Sequence, residues 1–346
     1  MNTSLRIIDF VSVIPNHLKK PVEWRSWLTL IRCFFLIGFF QVIIFSLPSI
    51  STGNIFWNVP LHFVAIFFAG LSLVGLFVLC HDCGHYSFSN HDWVNDVVGF
   101  ICFIPLLNNF FAWRLGHNFH HQNNQIRRID PDWPELLSTA EEYPLLPWYE
   151  KLAIRLGPGS IAGVIVGFWA GMVKRTFFSL LMPQMKMSSR KTVELYSLNL
   201  ISAVLTIALV WRYQAFLGTE KFILMYVIPV LIAASTGAFL TFIQHSHPGS
   251  YVFDKIGFDP VLSHVHSTFN IRFPKWMEFF WLDINVHTPH HVLPSIPWYF
   301  LNEANEVLKL NFASIVNERK FSLQGLLKSW RATELLKVKE GVYKIQ

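Results

Sequence analysis

Eight histidines of this sequence fall into three short clusters whose spacing suits metal binding. The first cluster is His81 and His85, and the other two repeat the pattern His-x-x-His-His, as His117, His120 and His121 and as His287, His290 and His291. Side chains three or four positions apart lie on one face of a helix, so each cluster can direct its imidazoles at a shared ion. Pro289 is tolerated in the first turn of a helix, which predicts that His287 lies at a helix cap.

The number of imidazoles limits the kind of metal site. Tetrahedral zinc takes four ligands, whereas eight imidazoles suit two metal ions of higher coordination. Imidazole ligation by itself leaves zinc, copper, iron and nickel open. Ordinary buried histidines would each need a hydrogen-bond partner, so we interpret the clusters as metal ligands rather than as structural histidines.

The clusters must be positioned by elements that lie in a membrane. The chain is 52% hydrophobic and only 14% charged, whereas about 25% of the residues of a soluble domain are charged. Four apolar segments are long enough to cross the hydrocarbon layer as helices, and they are joined in pairs by short loops: residues 27–50, 59–80, 195–213 and 222–244. We predict an all-α integral membrane protein with two transmembrane helical hairpins.

Two further apolar stretches are not predicted to cross the membrane fully. Residues 97–113 are interrupted by Pro105 and by Asn108 and Asn109, and residues 161–172 are too few to cross comfortably. We predict that both are interfacial or partly inserted helices.

The distribution of basic residues orients the chain. Of the 28 Lys and Arg residues, the hairpin loops and their borders hold only Arg212 and Lys221. Because Lys and Arg accumulate on the cytoplasmic side, we predict that segments 113–194 and 245–346 and both termini are cytoplasmic. All three histidine clusters then lie on one face of the membrane, in a cytoplasmic helical cap. The net charge of +6 does not indicate a nucleic-acid-binding protein, because the basic residues form no single run or stripe.

The residues around the clusters resemble a known family, the membrane fatty acid desaturases, and are closest to the bacterial and cyanobacterial acyl-lipid desaturases of the omega-6 (delta-12) branch. The resemblance extends from about residue 57 to about residue 325. It is strongest in three stretches: His81-Asp-Cys-Gly-His85, Trp113-Arg-Leu-Gly-His117 and Asp283-Ile-Asn-Val-His287-Thr-Pro-His-His291.

That resemblance implies a single desaturase domain over residues 1–346, with a di-iron site in its cytoplasmic cap. Two Fe²⁺ ions would be held by the eight clustered histidines and by a ninth from the end of the fourth span, which we assign to His245. O2 would be the co-substrate, and the product a cis double bond, of the delta-12 type, in the acyl chain of a bilayer lipid. The membrane would be the inner membrane of a bacterium or a cyanobacterial membrane.

The resemblance also implies an external electron donor, with ferredoxin as the expected soluble carrier. Basic residues of the cytoplasmic segments could attract an acidic carrier, and anionic lipid headgroups would explain them equally well. These residues are Arg127, Arg128, Lys174, Arg175, Arg190 and Lys191.

Three polar residues lie among the expected ligands. Asp82, Asp283 and Asn285 either orient imidazole N–H groups, as carboxylates do beside metal sites, or cap helices. His247, His264 and His266 lie outside the clusters at spacings that do not share a helix face, and we expect none of them to bind metal.

Two other functions remain open from the residues alone. A related membrane di-iron hydroxylase or ketolase acting on alkanes, sterols or carotenoids would carry the same three clusters. A histidine-rich metal transporter would place its ligands near the middle of the spans, whereas these clusters lie at span ends and in cytoplasmic segments.

Overall fold

The computed structural model describes residues 5–131, 137–156, 188–332 and 334–346 of the chain. It begins with helix α1 (Ile7–Val13), followed by α2 (Glu23–Ser46) and α3 (Ile55–Gly84). Asn54 caps α3, since its side chain accepts a hydrogen bond from the backbone N–H of Phe56. Helix α3 is the central element, because it packs against α2, against the next two helices of the chain and against two later helices.

A sharp bend follows the central helix. Helices α4 (Asp92–Phe103) and α5 (Phe110–Asn123) meet at 102°. A short 3-10 turn that contains Pro105 ends α4, Leu107 then has a positive φ of 54°, and the side chain of Asn109 caps α5. The stretch 97–113 is therefore not one interfacial helix but straddles this bend, because proline and the cap end one helix and begin another.

The second half of the membrane region is an apolar helical run interrupted at a glycine. It comprises α7 (Ser189–Phe222), a π turn (Ile223–Val227) and α8 (Ile228–His245). It follows α6 (Trp148–Leu156), and the expected interfacial helix at 161–172 lies outside the described residues.

The break in α7 is at Gly218, whose φ of 73° and ψ of 168° are not helical. The rings of Tyr213 and Tyr226 are 5.8 Å apart, although a straight helix would separate these residues by about 20 Å. The chain therefore folds back at Gly218. There it meets the loop after α2, where the Lys221 Nζ donates to the Leu47 carbonyl at 2.7 Å and the backbone N–H of Ile50 donates to Glu220 at 2.8 Å.

Among the described residues, three helical stretches are long and apolar enough to cross a membrane. They are Glu23–Ser46, Ile55–Gly84 and Ser189–His245, and the bent pair of α4 and α5 would count as a fourth if it forms one span. Large apolar side chains on the outer face of α2 are exposed, among them Phe35 and Val42. Such a surface suits lipid rather than water.

The C-terminal third adds short helices and strands to this frame. The helices are α9 (Lys275–Trp281), α10 (Thr288–Val292), α11 (Leu301–Phe312) and α12 (Leu323–Arg331). The strands are β1 (Tyr251–Phe253), β2 (Asn270–Arg272), β3 (Glu318–Lys320), β4 (Leu335–Lys339) and β5 (Val342–Ile345).

The prediction of an all-α fold is wrong at these strands, although the protein is mostly helical. One sheet has the order β1-β5-β4 with antiparallel neighbours, and β2 pairs with β3 in parallel. Strands β4 and β5 form a hairpin because Gly341, with a φ of 68°, supplies the turn conformation that glycine adopts without strain. The sheet lies beside the end of α5, where the backbone of Phe253 bonds to Gln125 and Arg127.

Candidate metal centre

Four helix ends deliver the nine candidate histidines to one buried region. The end of α3 carries His81 and places His85 at its C-cap, since the backbone N–H of His85 still bonds to the His81 carbonyl at 3.2 Å. Helix α5 carries the second cluster, α8 ends at His245 and α10 carries the third cluster. As predicted, His287 is the N-cap residue of α10 and Pro289 lies in its first turn.

The nine rings form two groups. In each group the atoms that could bind metal lie within 4.8 Å of one another, and the two groups are His81, His85, His117, His121 and His290, and His120, His245 and His291. His287 adjoins the second group, because its Nε2 is 3.1 Å from the Nε2 of His245 and 3.1 Å from that of His291.

The first group is built around His290. Its Nε2 lies 3.1 Å from the Nε2 of His81 and 2.9 Å from the Nε2 of His121, which is in turn 3.2 Å from that of His117. The Nε2 of His85 is buried, and no described residue forms a hydrogen bond with it.

These distances fit metal ligation. Two imidazole nitrogens at right angles on one ion, each about 2.1 Å from it, are about 3.0 Å apart, and the five Nε2–Nε2 distances run from 2.9 to 3.2 Å. A neutral imidazole has one N–H and one lone pair, so the Nε2 of His290 cannot satisfy both of its neighbours through hydrogen bonds alone. Two cations at the centres of the groups would satisfy all of these nitrogens.

The protonation states agree with that geometry. Burial lowers the pKa of six of these imidazoles well below the usual range of histidine, and the neighbouring imidazoles lower it further: His85, His117, His121, His287, His290 and His291. They are therefore neutral at pH 7, which is the form that binds a metal.

A buried carboxylate that the sequence analysis missed orients one of the candidate ligands. Asp130 is fully buried, and its Oδ1 lies 2.7 Å from the Nδ1 of His120. Its Oδ2 accepts a hydrogen bond from the backbone N–H of Gln125, whose side chain donates to the His245 carbonyl. A carboxylate that accepts the Nδ1–H fixes the tautomer in which the Nε2 of His120 carries the lone pair that can bind a metal, as at many metal sites. The sequence does hold a signal for Asp130, namely that an acidic residue follows the second cluster at a short distance.

The three polar residues singled out from the sequence have different surroundings. The Oδ1 of Asp82 is 3.7 Å from the Nδ1 of His81, and its Oδ2 accepts the backbone N–H of Trp298 at 3.0 Å. Asp82 therefore joins the first cluster to the segment after the third.

Asp283 and Asn285 support the backbone around the third cluster. The Asn285 side chain donates to the Ile271 carbonyl at 2.9 Å and to Glu278 at 3.0 Å. Asp283 bonds to the side chain of Asn302, and burial raises the pKa of its carboxyl. Within the described residues these bonds lead to backbone and acidic or amide side chains, not to an imidazole.

An aromatic wall borders the first group. The Trp113 indole stacks on His117 with ring centroids 4.6 Å apart and an angle of 18° between the planes. Gly84 makes room for it, because a Cβ at residue 84 would lie 2.8 Å from the Cζ3 of Trp113. The next residue, Arg114, forms an ion pair with Asp96. Trp113 therefore packs against the second cluster, and Arg114 is held by an acidic partner.

Of the three histidines that were not expected to bind metal, one lies against a histidine group and two do not. His247 is buried against Ser329 and Phe269, and burial lowers its pKa to about 4. His264, to which the sequence analysis assigned no role, lies against the second group, with its Nδ1 3.4 Å from the Nδ1 of His291. His266 packs edge-on against Tyr251.

The expected docking residues are not all available at the surface. Arg127 is 8% exposed and is paired with Glu142 and Asp254, so its charge is already neutralised. Arg128, Arg190 and Lys191 are exposed, and Lys174 and Arg175 lie outside the described residues.

Comparison with known proteins assigns the chain to a family. The family model described as fatty acid desaturase matches residues 56–317. The chain belongs to the fatty acid desaturase family. All three histidine clusters and His245 fall inside the matched region of this desaturase. The prediction of a fatty acid desaturase, and hence of an oxidoreductase of lipid metabolism, is confirmed, and its apolar helices mark it as an integral membrane protein.

Several relatives match this desaturase over most of its length. An sn-1 oleoyl-lipid 12-desaturase of Picosynechococcus sp. is 31% identical over 92% of this chain and 86% of that protein. A protein of the same name from Arthrospira platensis is 28% identical over 87% of this chain and 80% of its own length. A chloroplastic omega-6 fatty acid desaturase of Glycine max is 26% identical over 93% of this chain and 71% of its own length.

Proposed function

We propose that this desaturase introduces a cis double bond at the delta-12 (omega-6) position of a lipid-bound acyl chain, with a di-iron centre, O2 and external electrons. The observation that carries the proposal is the meeting of nine histidines in two adjacent groups inside a chain of this family. The delta-12 position rests on the names of the relatives, which act on oleoyl lipid or are omega-6 desaturases.

We assign one iron to each group. The first would be held by His81, His85, His117, His121 and His290, and the second by His120, His245, His287 and His291. Iron is chosen over zinc because members of this family carry out O2 chemistry, which redox-inactive zinc cannot supply. With two irons bound, O2 would oxidise a pair of adjacent methylenes to an alkene. Two external electrons and two protons would complete the reduction of O2 to two water molecules.

Several side chains of this protein would hold the ligands in place and enclose the site. Asp130 holds the Nδ1–H of His120, and Asp82 links the first cluster to the segment after the third. Trp113 stacks on His117 and packs against Phe103 with ring centroids 5.2 Å apart, and these apolar rings would limit the access of water to the first group. An apolar wall beside a buried metal site also suits an acyl chain, which offers no polar group for recognition along its length.

The arrangement in the membrane is part of the proposal. The fold-back at Gly218 would divide the run Ser189–His245 into two spans, giving two hairpins and four spans in total. The distribution of Lys and Arg favours a cytoplasmic position for the histidine groups and both termini. A soluble acidic carrier such as ferredoxin would then deliver electrons to the cap, where Arg128, Arg190 and Lys191 are exposed.

Lipid analysis tests the activity. The chain would be expressed in a host that makes oleoyl lipids but no delta-12 product, with a ferredoxin and its reductase, and total fatty acids would be examined by gas chromatography and mass spectrometry. We expect a diene with its second double bond at the delta-12 position, and none with a His290→Ala variant expressed at the same level. A hydroxylated product would identify a hydroxylase instead. An unchanged lipid profile from an iron-loaded protein would reject the proposal.

A further inference from the structure

His264 lies in a short π-helical turn that is fastened to two of the histidine-bearing elements. The turn is Leu262–His266, and His264 is 8% exposed. The neighbouring Ser263 exchanges hydrogen bonds with Asn124, the residue after α5, at 2.7 and 3.2 Å. The carbonyl of Thr268 accepts a hydrogen bond from Thr288 at the start of α10. The position of the turn is therefore set by the same backbone that carries the ligands.

The contact between His264 and His291 has a definite direction. One nitrogen of His291, Nε2, faces the second group and lies 3.1 Å from the Nε2 of His287. The other, Nδ1, faces away and lies 3.4 Å from the Nδ1 of His264. The two rings are stacked at 30°, with centroids 5.7 Å apart. His264 is thus on the outer edge of a ligand ring rather than inside the group.

We propose that His264 is a positioning residue: it accepts a hydrogen bond from the Nδ1–H of His291 and so holds the tautomer whose Nε2 lone pair faces the metal. The proposal rests on the di-iron function proposed above. A neutral imidazole carries one N–H and one lone pair, so a ligand that binds through Nε2 needs an acceptor for Nδ1–H. His264 does for His291 what Asp130 does for His120.

The two acceptors differ in charge, and the difference has a physical reason. Asp130 already places one carboxylate beside the second group. An imidazole acceptor orients a second ligand of that group without adding another buried negative charge, whose desolvation would be costly. A glutamine at residue 264 would keep an uncharged acceptor of similar reach, whereas a leucine would keep the volume and remove the acceptor.

The test compares His264→Leu with His264→Gln in purified full-length protein loaded with ⁵⁷Fe. Iron per chain would be measured after a fixed incubation with an Fe²⁺ chelator, and Mössbauer spectra would report the environments of the two irons. We expect His264→Leu to bind iron at one of the two sites about 10- to 100-fold more weakly than the wild type, with a change in one spectral component. His264→Gln should retain both irons.

His247→Leu is the matched control, because His247 is also buried and hydrogen-bonded but contacts Ser329 and Phe269. Equal iron loss from His247→Leu and His264→Leu would overturn the proposal, as would full iron retention and an unchanged spectrum in His264→Leu. If the leucine variant does not fold, rapid iron loss from His264→Gln overturns it. A wild-type protein that holds no iron would instead reject the proposed function.

Discussion

Asp130 offers the sharpest test of how the second histidine group is held. The carboxylate is fully buried, with Oδ1 2.7 Å from the His120 Nδ1 and Oδ2 2.8 Å from the backbone nitrogen of Gln125. Asp130→Asn keeps the shape but replaces one acceptor oxygen with an NH2 group, so one of the two N–H groups loses its acceptor. Because Gln125 also supports the His245 carbonyl, the substitution would disturb two of the proposed ligands of one group.

The expected magnitude follows from these two bonds. Loss of a hydrogen-bonded support of a ligating histidine weakens metal binding about 10- to 100-fold, which is about 1.4 to 2.7 kcal/mol. Leaving a buried donor without a partner costs about 1 to 3 kcal/mol of folding stability. We therefore expect Asp130→Asn to lose iron from one site and to unfold at a lower temperature than the wild type.

The assay separates these two effects with a matched variant. Glu278 is also a buried acid; it accepts from the Phe273 N–H and from Asn285 and pairs with Lys275. Glu278→Gln should lower the unfolding temperature without a selective loss of iron. Iron per chain would be measured by mass spectrometry after incubation with a chelator. Full iron retention in Asp130→Asn, or the same iron loss in Glu278→Gln, would refute the reasoning.

Four further outcomes are expected. Gly84→Ala should cost about 1 to 3 kcal/mol of stability and reduce activity, since its Cβ would lie 2.8 Å from the Trp113 ring. Gly38→Ala should be tolerated, because its Cβ would have no atom of the described residues within 4 Å; thermal unfolding and lipid analysis compare the two variants. Gly218→Ala should destabilise by about 1 to 3 kcal/mol through backbone strain, because no described atom lies within 4 Å of its Cβ, and an unchanged unfolding temperature would contradict this. The free energy of unfolding, measured by denaturant, should fall as the pH drops below about 6.5. The reason is that the unfolded chain then binds protons at histidines that stay neutral in the folded chain. A free energy of unfolding that rises toward pH 5.5 would contradict this. Iron removal should lower the unfolding temperature, since a ligand bound only to the folded state stabilises it; equal unfolding temperatures with and without iron would contradict the assignment.

The sequence predicts the histidine groups well because their geometry is local. Spacings of three and four residues place His117, His120 and His121 on one side of α5, and Pro289 correctly locates the start of α10 at His287. The short loop predicted between segments 195–213 and 222–244 contains Gly218, where the chain folds back. Each of these features is decided within one or two helical turns.

Features that depend on distant contacts were missed. Asp130 follows His120 by ten residues in a loop, and His264 meets His291 only because the turn Leu262–His266 packs against α10. Strand β5 pairs with β1, which lies some ninety residues earlier in the chain. Strands this short contain too few residues for the alternation of apolar and polar side chains to distinguish them from a helix. Pairing of this kind is decided by tertiary packing rather than by local propensity.

The most direct test of the account is the metal content of the purified desaturase. Full-length protein, isolated in detergent after expression with iron, would be analysed for iron, zinc, copper and nickel and for protein concentration. The two histidine groups predict about two irons per chain, and His85→Ala and His245→Ala should each lower that content by removing a ligand from a different group. A single zinc ion per chain, or iron content unaffected by both substitutions, would contradict the di-iron centre.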